Sequence, residues 1–296
     1  MTSKNTSVAE ATNHAHAVDL EKMSLSLGTL VNDVVDTALS AGLLQRALAA
    51  GMDEIASVLR AVPVAEGRLL ERGIGLIAKR NPDLVVLTEN LRLPVTRAAT
   101  ELVAMNDEAL VKSLSLDADS AGRKSYTPDL LIINRTTKVA HLIDVKRSLG
   151  SYELSRIAEL KNRMLAAALV VPDLLYKEHR RLHVDEVRVV ILNAENQRTD
   201  IDGGVWPLTH LDHLLDIAGA GAVMAQLRDL FQKRVTDNWA AALRSHSAGI
   251  KADPDGVAGE SPGDMARHAD GGDAFASPAR TPVSIGFARA PRLANG

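Results

Sequence analysis

Asp129, Asp144 and Lys146 are the residues most able to do chemistry, because apolar runs that read as core strands carry them. The stretch from Tyr126 to Ser148 is YTPDLLIINRTTKVAHLIDVKRS. Its two runs, Leu130 to Asn134 and Val139 to Val145, read as an antiparallel hairpin. A loop at Thr136-Thr137 or at Arg135 to Lys138 gives one register, in which paired residue numbers sum to 273. Asp129 then lies opposite Asp144, with Cβ atoms about 4.5–5.5 Å apart. Alternation puts Asp144 and Lys146 on one face, and Ile143 and Val145 on the other. Two carboxylates this close raise each other's pKa unless a cation sits between them. Mg²⁺ or Mn²⁺ suits oxygen ligands and phosphate. A lysine beside such a metal can orient or deprotonate a water, or stabilise charge building on phosphorus. That chemistry is metal-assisted phosphodiester hydrolysis. In the plainer reading Asp129 merely opens a strand, and Asp144 and Lys146 pair along a solvated edge. A D-x-K triplet by itself occurs in many chains.

The elements that must position these residues are readable on either side. Residues 1–20 are polar and aperiodic, which predicts a disordered N-terminus. Over residues 21–62 apolar side chains recur at three and four, including Leu30, Val34, Leu44 and Leu48, which predicts a helical element. Gly51 reads as a stop, with a short helix restarting at Met52. Pro63 can open the next helix, to about Lys79, with Leu70, Ile74 and Ile77 on one face. Leu84 to Thr88 reads as a strand, extendable towards Leu93. Thr96 to about Leu116 reads as helix and Ala118 to Lys124 as loop. After the hairpin, Leu154 to Val171 reads as a long helix closed by Pro172, and Glu186 to Leu192 as a strand. One or two helices follow to about Leu243. Residues 245–296 are Gly, Pro, Ala and Ser without period and read as a disordered tail. The fold class is therefore α/β, a mixed sheet flanked by helices over residues 63–244.

Composition narrows the classes. The chain is 46% hydrophobic and 24% charged, as in ordinary globular proteins. It has no cysteine, which removes disulfides, zinc–thiolate sites and a thiol nucleophile. The net charge of −3 means that any nucleic-acid contact needs a local patch. No apolar run reaches about 18 residues, so no membrane span is expected and a cytoplasmic location is the default. No P-loop, GxSxG or GxGxxG context is present.

Pro128-Asp129, followed after fourteen residues by Asp144-Val145-Lys146, resembles the PD-(D/E)XK nuclease superfamily. The likeness covers about Pro63 to Asn193. It implies a restriction-endonuclease-like core: a helix, a three-stranded meander, a helix and a further strand. It also implies that Asp129, Asp144 and the Val145 carbonyl bind Mg²⁺ or Mn²⁺, and that Lys146 positions the attacking water. Many members add a helix glutamate. Glu71, in GRLLER, looks like the G-x-x-x-E-R of archaeal-type Holliday-junction resolvases, whereas Glu66 lies nearer the centre of the apolar stripe. The segment from Val95 to Lys124 departs from the compact resolvases and reads as a helical insertion.

Over Gly122 to Arg188 there are thirteen Lys and Arg against eight Asp and Glu, a basic rim that suits a phosphate backbone. Arg147, Arg156 and Lys161 are its candidate nucleic-acid contacts, with Lys177, Arg180 and Arg181 beyond. The bland alternative is a solvated face with i,i+4 ion pairs. His179 and His183 have helical metal-pair spacing, but the glutamate of H-E-x-x-H is missing. His210 and His213 read as helix surface. The leading expectation is a Mg²⁺-dependent nuclease acting on DNA, with a homodimer possible through the N-terminal helices. The alternatives are a nuclease-like binding module without catalysis, and a helical oligomerisation protein whose hairpin is incidental.

Overall fold

The computed structural model describes residues 14–88, 91–106, 111, 114–118, 124–179, 181–195, 198–252 and 284–287. The chain begins with β1 (His16–Ala17) and three helices, α1 (Leu20–Ala38), α2 (Ala41–Ala50) and α3 (Met52–Ala78). β2 (Leu84–Leu87), β3 (Leu93–Val95), α4 (Arg97–Met105) and β4 (Lys124–Tyr126) lead to the hairpin strands β5 (Leu130–Asn134) and β6 (Val139–Lys146). Then come α5 (Leu154–Ala168), α6 (Val171–Glu178), β7 (Glu186–Asn193) and β8 (Val205–Pro207). The last elements are α7 (Leu211–Leu215), β9 (Ile217–Ala218), α8 (Ala220–Ala252) and β10 (Ser284–Phe287).

The central sheet is mixed. Its order is β10-β7-β6-β5-β2, and β8 also pairs with β7. β2, β5 and β6 form an antiparallel meander, whereas β7 runs parallel to β6. A parallel neighbour requires a long crossover, and α5 with α6 provides it. The hairpin register is the expected one: Leu130 faces Ile143 and Asn134 faces Val139. Its turn closes on Asn134, whose Oδ1 accepts from the Thr136 and Thr137 amides at 2.9 Å each.

Both faces of the sheet are covered, which is why β5 reads as an unbroken apolar run. Leu130, Ile132, Ile143 and Val145 pack with α1, α3 and α8. Leu131, Ile133, Ala140 and Leu142 pack with α4, α5 and α6. Gly73 on α3 lets α8 come close, since a Cβ there would collide with Leu227 and Met224.

Several boundaries differ from the sequence reading. Pro63 does not open a helix; it lies within the single helix α3. A proline there removes one backbone hydrogen bond. Pro63 is exposed, so the freed carbonyl can meet water, and buried Ala65, Leu69 and Leu70 hold the helix together. Pro172 does not close the preceding helix either. It occupies the first turn of α6, where its missing N–H is harmless. Leu93–Val95 is not a continuation of β2 but pairs with β4, so the insertion leaves and re-enters the core through a two-stranded ribbon. Residues 107–110, 112–113 and 119–123 of that insertion lie outside the described residues.

Order extends further than expected at both ends. β1 pairs with β9, and Asp19 caps α1 by accepting from the Glu21 and Lys22 amides. In the expected tail, α8 continues to Ala252 and β10 pairs with β7. Residues 1–13 and the rest of the tail lie outside the described residues. Leu20–Ala50, with mean hydropathy 1.2, is long and apolar enough to cross a membrane by composition. In the structure it is two helices, α1 and α2, and buried Met23, Leu27, Val31, Val34 and Val35 turn the apolar face of α1 into the core.

Candidate active site

The hairpin's open end gathers the predicted residues. Asp129 precedes β5, and its Oδ2 accepts from the Val145 amide at 2.6 Å. Continuing the register places it opposite Asp144, near the end of β6. Asp144 is buried, at 5% exposure. Its Oδ2 accepts from the Tyr126 hydroxyl at 2.8 Å, and its Oδ1 is in ion-pair contact with Lys146 Nζ. The Tyr126 hydroxyl and the Lys146 ammonium thus take one oxygen of Asp144 each. Glu71 approaches from α3, and shares an open cleft with Asp129.

Electrostatics mark the cluster as strained. Burial, then the charge of Asp129, pushes Glu71 up to about 7. Burial, then Asp144, pushes Asp129 up to about 6, against the opposing pull of the Val145 amide and Lys146. Burial alone would lower Lys146, but Asp144 and Asp129 outweigh it and hold the ammonium above its usual range. Burial, then Asp144, keeps the Tyr126 phenol far above its ordinary range, so it donates to Asp144 as a neutral group. The Arg163 guanidinium lies 5.6 Å from the centre of the Tyr126 ring.

The donor set fits a hard divalent cation in one respect. Asp129, Asp144 and Glu71 share the one ammonium of Lys146, and burial with the neighbouring carboxylates raises Asp129 and Glu71, so acid exceeds base and a further cation would offset it. Among the described residues no three His, Cys, Asp or Glu side chains form a ready metal cage. The resemblance names Asp129, Asp144 and the Val145 carbonyl as the groups that could hold such an ion, with water completing the shell as Mg²⁺ commonly allows.

The competition between Glu66 and Glu71 is decided by a partner distant in sequence. Glu66 Oε1 accepts from Arg228 on α8, from Nε at 3.2 Å and Nη2 at 3.0 Å. Arg147 Nε lies 4.0 Å from Glu66 Oε2, and its Nη1 donates to Glu195 at 3.1 Å. Glu66 therefore belongs to an ion network, and Glu71 is the helix carboxylate that faces the acids.

The basic rim is largely committed elsewhere. Arg147 is held by Glu195 and Glu66, and Lys161 pairs with Asp200 at 3.2 Å. Lys177 pairs with Asp117 and Asp173, and Arg181 lies over the Tyr176 ring. Of the three candidate contacts, Arg147 and Arg156 are exposed and Lys161 is partly buried, and Arg147 is the one of the exposed pair that is held by carboxylates. Arg180 lies outside the described residues. His183 bonds Asp185 at 2.9 Å, and His213 packs its ring between those of His14 and His210.

Sequence reasoning missed Tyr126, although it stands in the same stretch as the acids. It also missed Arg68, Arg72 and Lys79, which line the cleft with Glu71 and Asp129. Their spacing on α3, at i, i+4 and i+11, was the available signal. No family model matches the sequence, and neither a curated protein nor a solved structure is significantly similar to it.

Proposed function

We propose that the protein is a Mg²⁺- or Mn²⁺-dependent nuclease that hydrolyses phosphodiester bonds, with DNA as the first substrate to test. The observation that carries this reading is buried Asp144 opposite Asp129, with Lys146 on its free oxygen and Glu71 across the cleft. The sheet order supports the finer fold reading too. A meander of β2, β5 and β6, a helical crossover and a parallel β7 is the order that a restriction-endonuclease-like core requires. Asp129, Asp144 and the Val145 carbonyl would hold the metal. Bound there, the ion would lower the pKa of a water and offset charge on the phosphate. Lys146 would orient that water and donate to the charge building on the phosphate oxygens. Glu71, raised to about 7, is poised to take or give a proton near neutral pH. Tyr126 fixes the Asp144 carboxylate from behind.

One observation favours a second reading, a nuclease-like binding module. Lys146 folds onto Asp144 and the Val145 amide onto Asp129, so each acid has some compensation without a metal. A cleavage assay separates the two. Supercoiled plasmid and branched DNA are incubated with Mg²⁺ or Mn²⁺ and either wild type or Asp144→Ala, with circular dichroism confirming the fold. The nuclease reading requires cutting by wild type that Asp144→Ala abolishes. Intact DNA with both metals rejects it in favour of the binding module.

A further inference from the structure

We infer that a nucleic-acid backbone entering the cleft beside Asp129 runs its phosphates along Arg68, Arg72 and Lys79, with its other edge facing Ser26, Thr29 and Thr37. This deepens the nuclease reading and rests on it. Arg68, Arg72 and Lys79 are exposed and line the cleft beside Glu71. At 100° per residue they fall within about 40° of one another, and the row is about 16 Å long at 1.5 Å per residue. None is held in an ion pair among the described residues. On α5 and α6, by contrast, Lys161 and Lys177 are paired. The free cations thus lie where a phosphate must pass to reach Asp129.

The opposite wall is α1, and it is fixed. Its apolar face is buried against α3 and α8, which leaves Ser26, Thr29, Asp33 and Thr37 towards the cleft. Thr29 and Thr37 donate to the Leu25 and Asp33 carbonyls and so offer acceptor oxygens to sugar and base edges, while Asp33 repels phosphate and biases the backbone towards α3. No aromatic ring lines the cleft, so bases are not gripped by stacking and recognition falls to the backbone.

The test is fluorescence anisotropy in EDTA, so that binding is read without cleavage. Labelled single-stranded DNA, single-stranded RNA and duplex DNA of one sequence are titrated across a salt series. The inference expects binding whose salt dependence these three cations set, with a slope of log K against log salt near −2 on a single strand, from three phosphates at about 0.7 each. Arg68→Ala, Arg72→Ala and Lys79→Ala should each flatten that slope by about 0.7. All three side chains are exposed, so the variants keep the fold. No binding of any of the three nucleic acids, a triple variant with the wild-type slope, or a loss that follows Arg156→Ala instead would each overturn the inference. Because the assay needs no metal, it can fail while cleavage persists, and cleavage can fail while it holds.

Discussion

Two ion clusters in this molecule are built from almost the same parts. α3 gives a glutamate to each, Glu66 to one and Glu71 to the other. The end of β6 gives a cation to each, Arg147 and Lys146. In the first cluster Glu66 and Glu195 face Arg228 and Arg147, so charges match and hydrogen bonds are made. In the second, Glu71, Asp129 and Asp144 share Lys146, and Glu71 and Asp129 are pushed up to about 7 and about 6. The lesson is that burial of an acid does not mark a site. An excess of acid over local base does, because folding alone gains nothing from it. Glu66 holds α3 to α8, whereas Glu71 shares a cleft with Asp129 and is raised by burial and by that charge.

The largest expected effect is on rate. Lys146→Ala should lower single-turnover cleavage by about 10³-fold, the usual scale for a proton-handling group. Glu66→Gln should leave the rate within a small factor of wild type. Equal losses in both would erase the distinction between the clusters.

On stability the order reverses. Glu66→Ala removes the carboxylate from Arg228, leaving it the Ala194 carbonyl, and should cost about 2 kcal/mol in urea unfolding, the scale of a hydrogen bond to a charged group. Glu71→Gln should stabilise the metal-free protein at pH 8 by about 1 kcal/mol, a figure reduced for partial solvent access. The sign follows from proton counts. Between the unfolded and folded pKa of Glu71, about 4.5 and about 7, the folded state binds more protons, so stability falls as pH rises through that window. Asp129 adds the same slope from about 3.8 to about 6. Glu71→Gln should flatten the profile, and a wild-type stability that climbs over pH 5 to 7 would place Glu71 with Glu66. The smallest change is Tyr126→Phe, which deletes one hydrogen bond to Asp144 and should cost about 1 kcal/mol. A melting temperature unchanged by it would mean that Asp144 is positioned by Lys146 alone.

Much of the site was legible because it is local. The hairpin's register follows from one turn and strict alternation, so Asp129, Asp144 and Lys146 could be placed together from sequence. The order of strands around α5 was readable for the same reason. What was not legible depends on partners far along the chain. Arg228, 162 residues from Glu66, decides which glutamate is structural. Lys161 looked available until Asp200 took it. Pro63 looked like a helix start because local rules ignore the tertiary packing that carries α3 past it. The cleft cations needed α1 as an opposing wall, and nothing in the sequence says where α1 lies.

The central claim is that the acid-rich cluster is built for a divalent cation, and titration calorimetry tests it most directly. Mg²⁺ and Mn²⁺ are titrated near pH 6.5 in two buffers of different ionisation enthalpy, with wild type, Asp144→Asn and Glu66→Gln. The account predicts that wild type binds with net proton release, because Asp129 and Glu71 are partly protonated there and the cation displaces those protons. Glu66→Gln should behave like wild type, and Asp144→Asn should lose binding. Wild type that binds neither metal, or binding unchanged by Asp144→Asn, would contradict it.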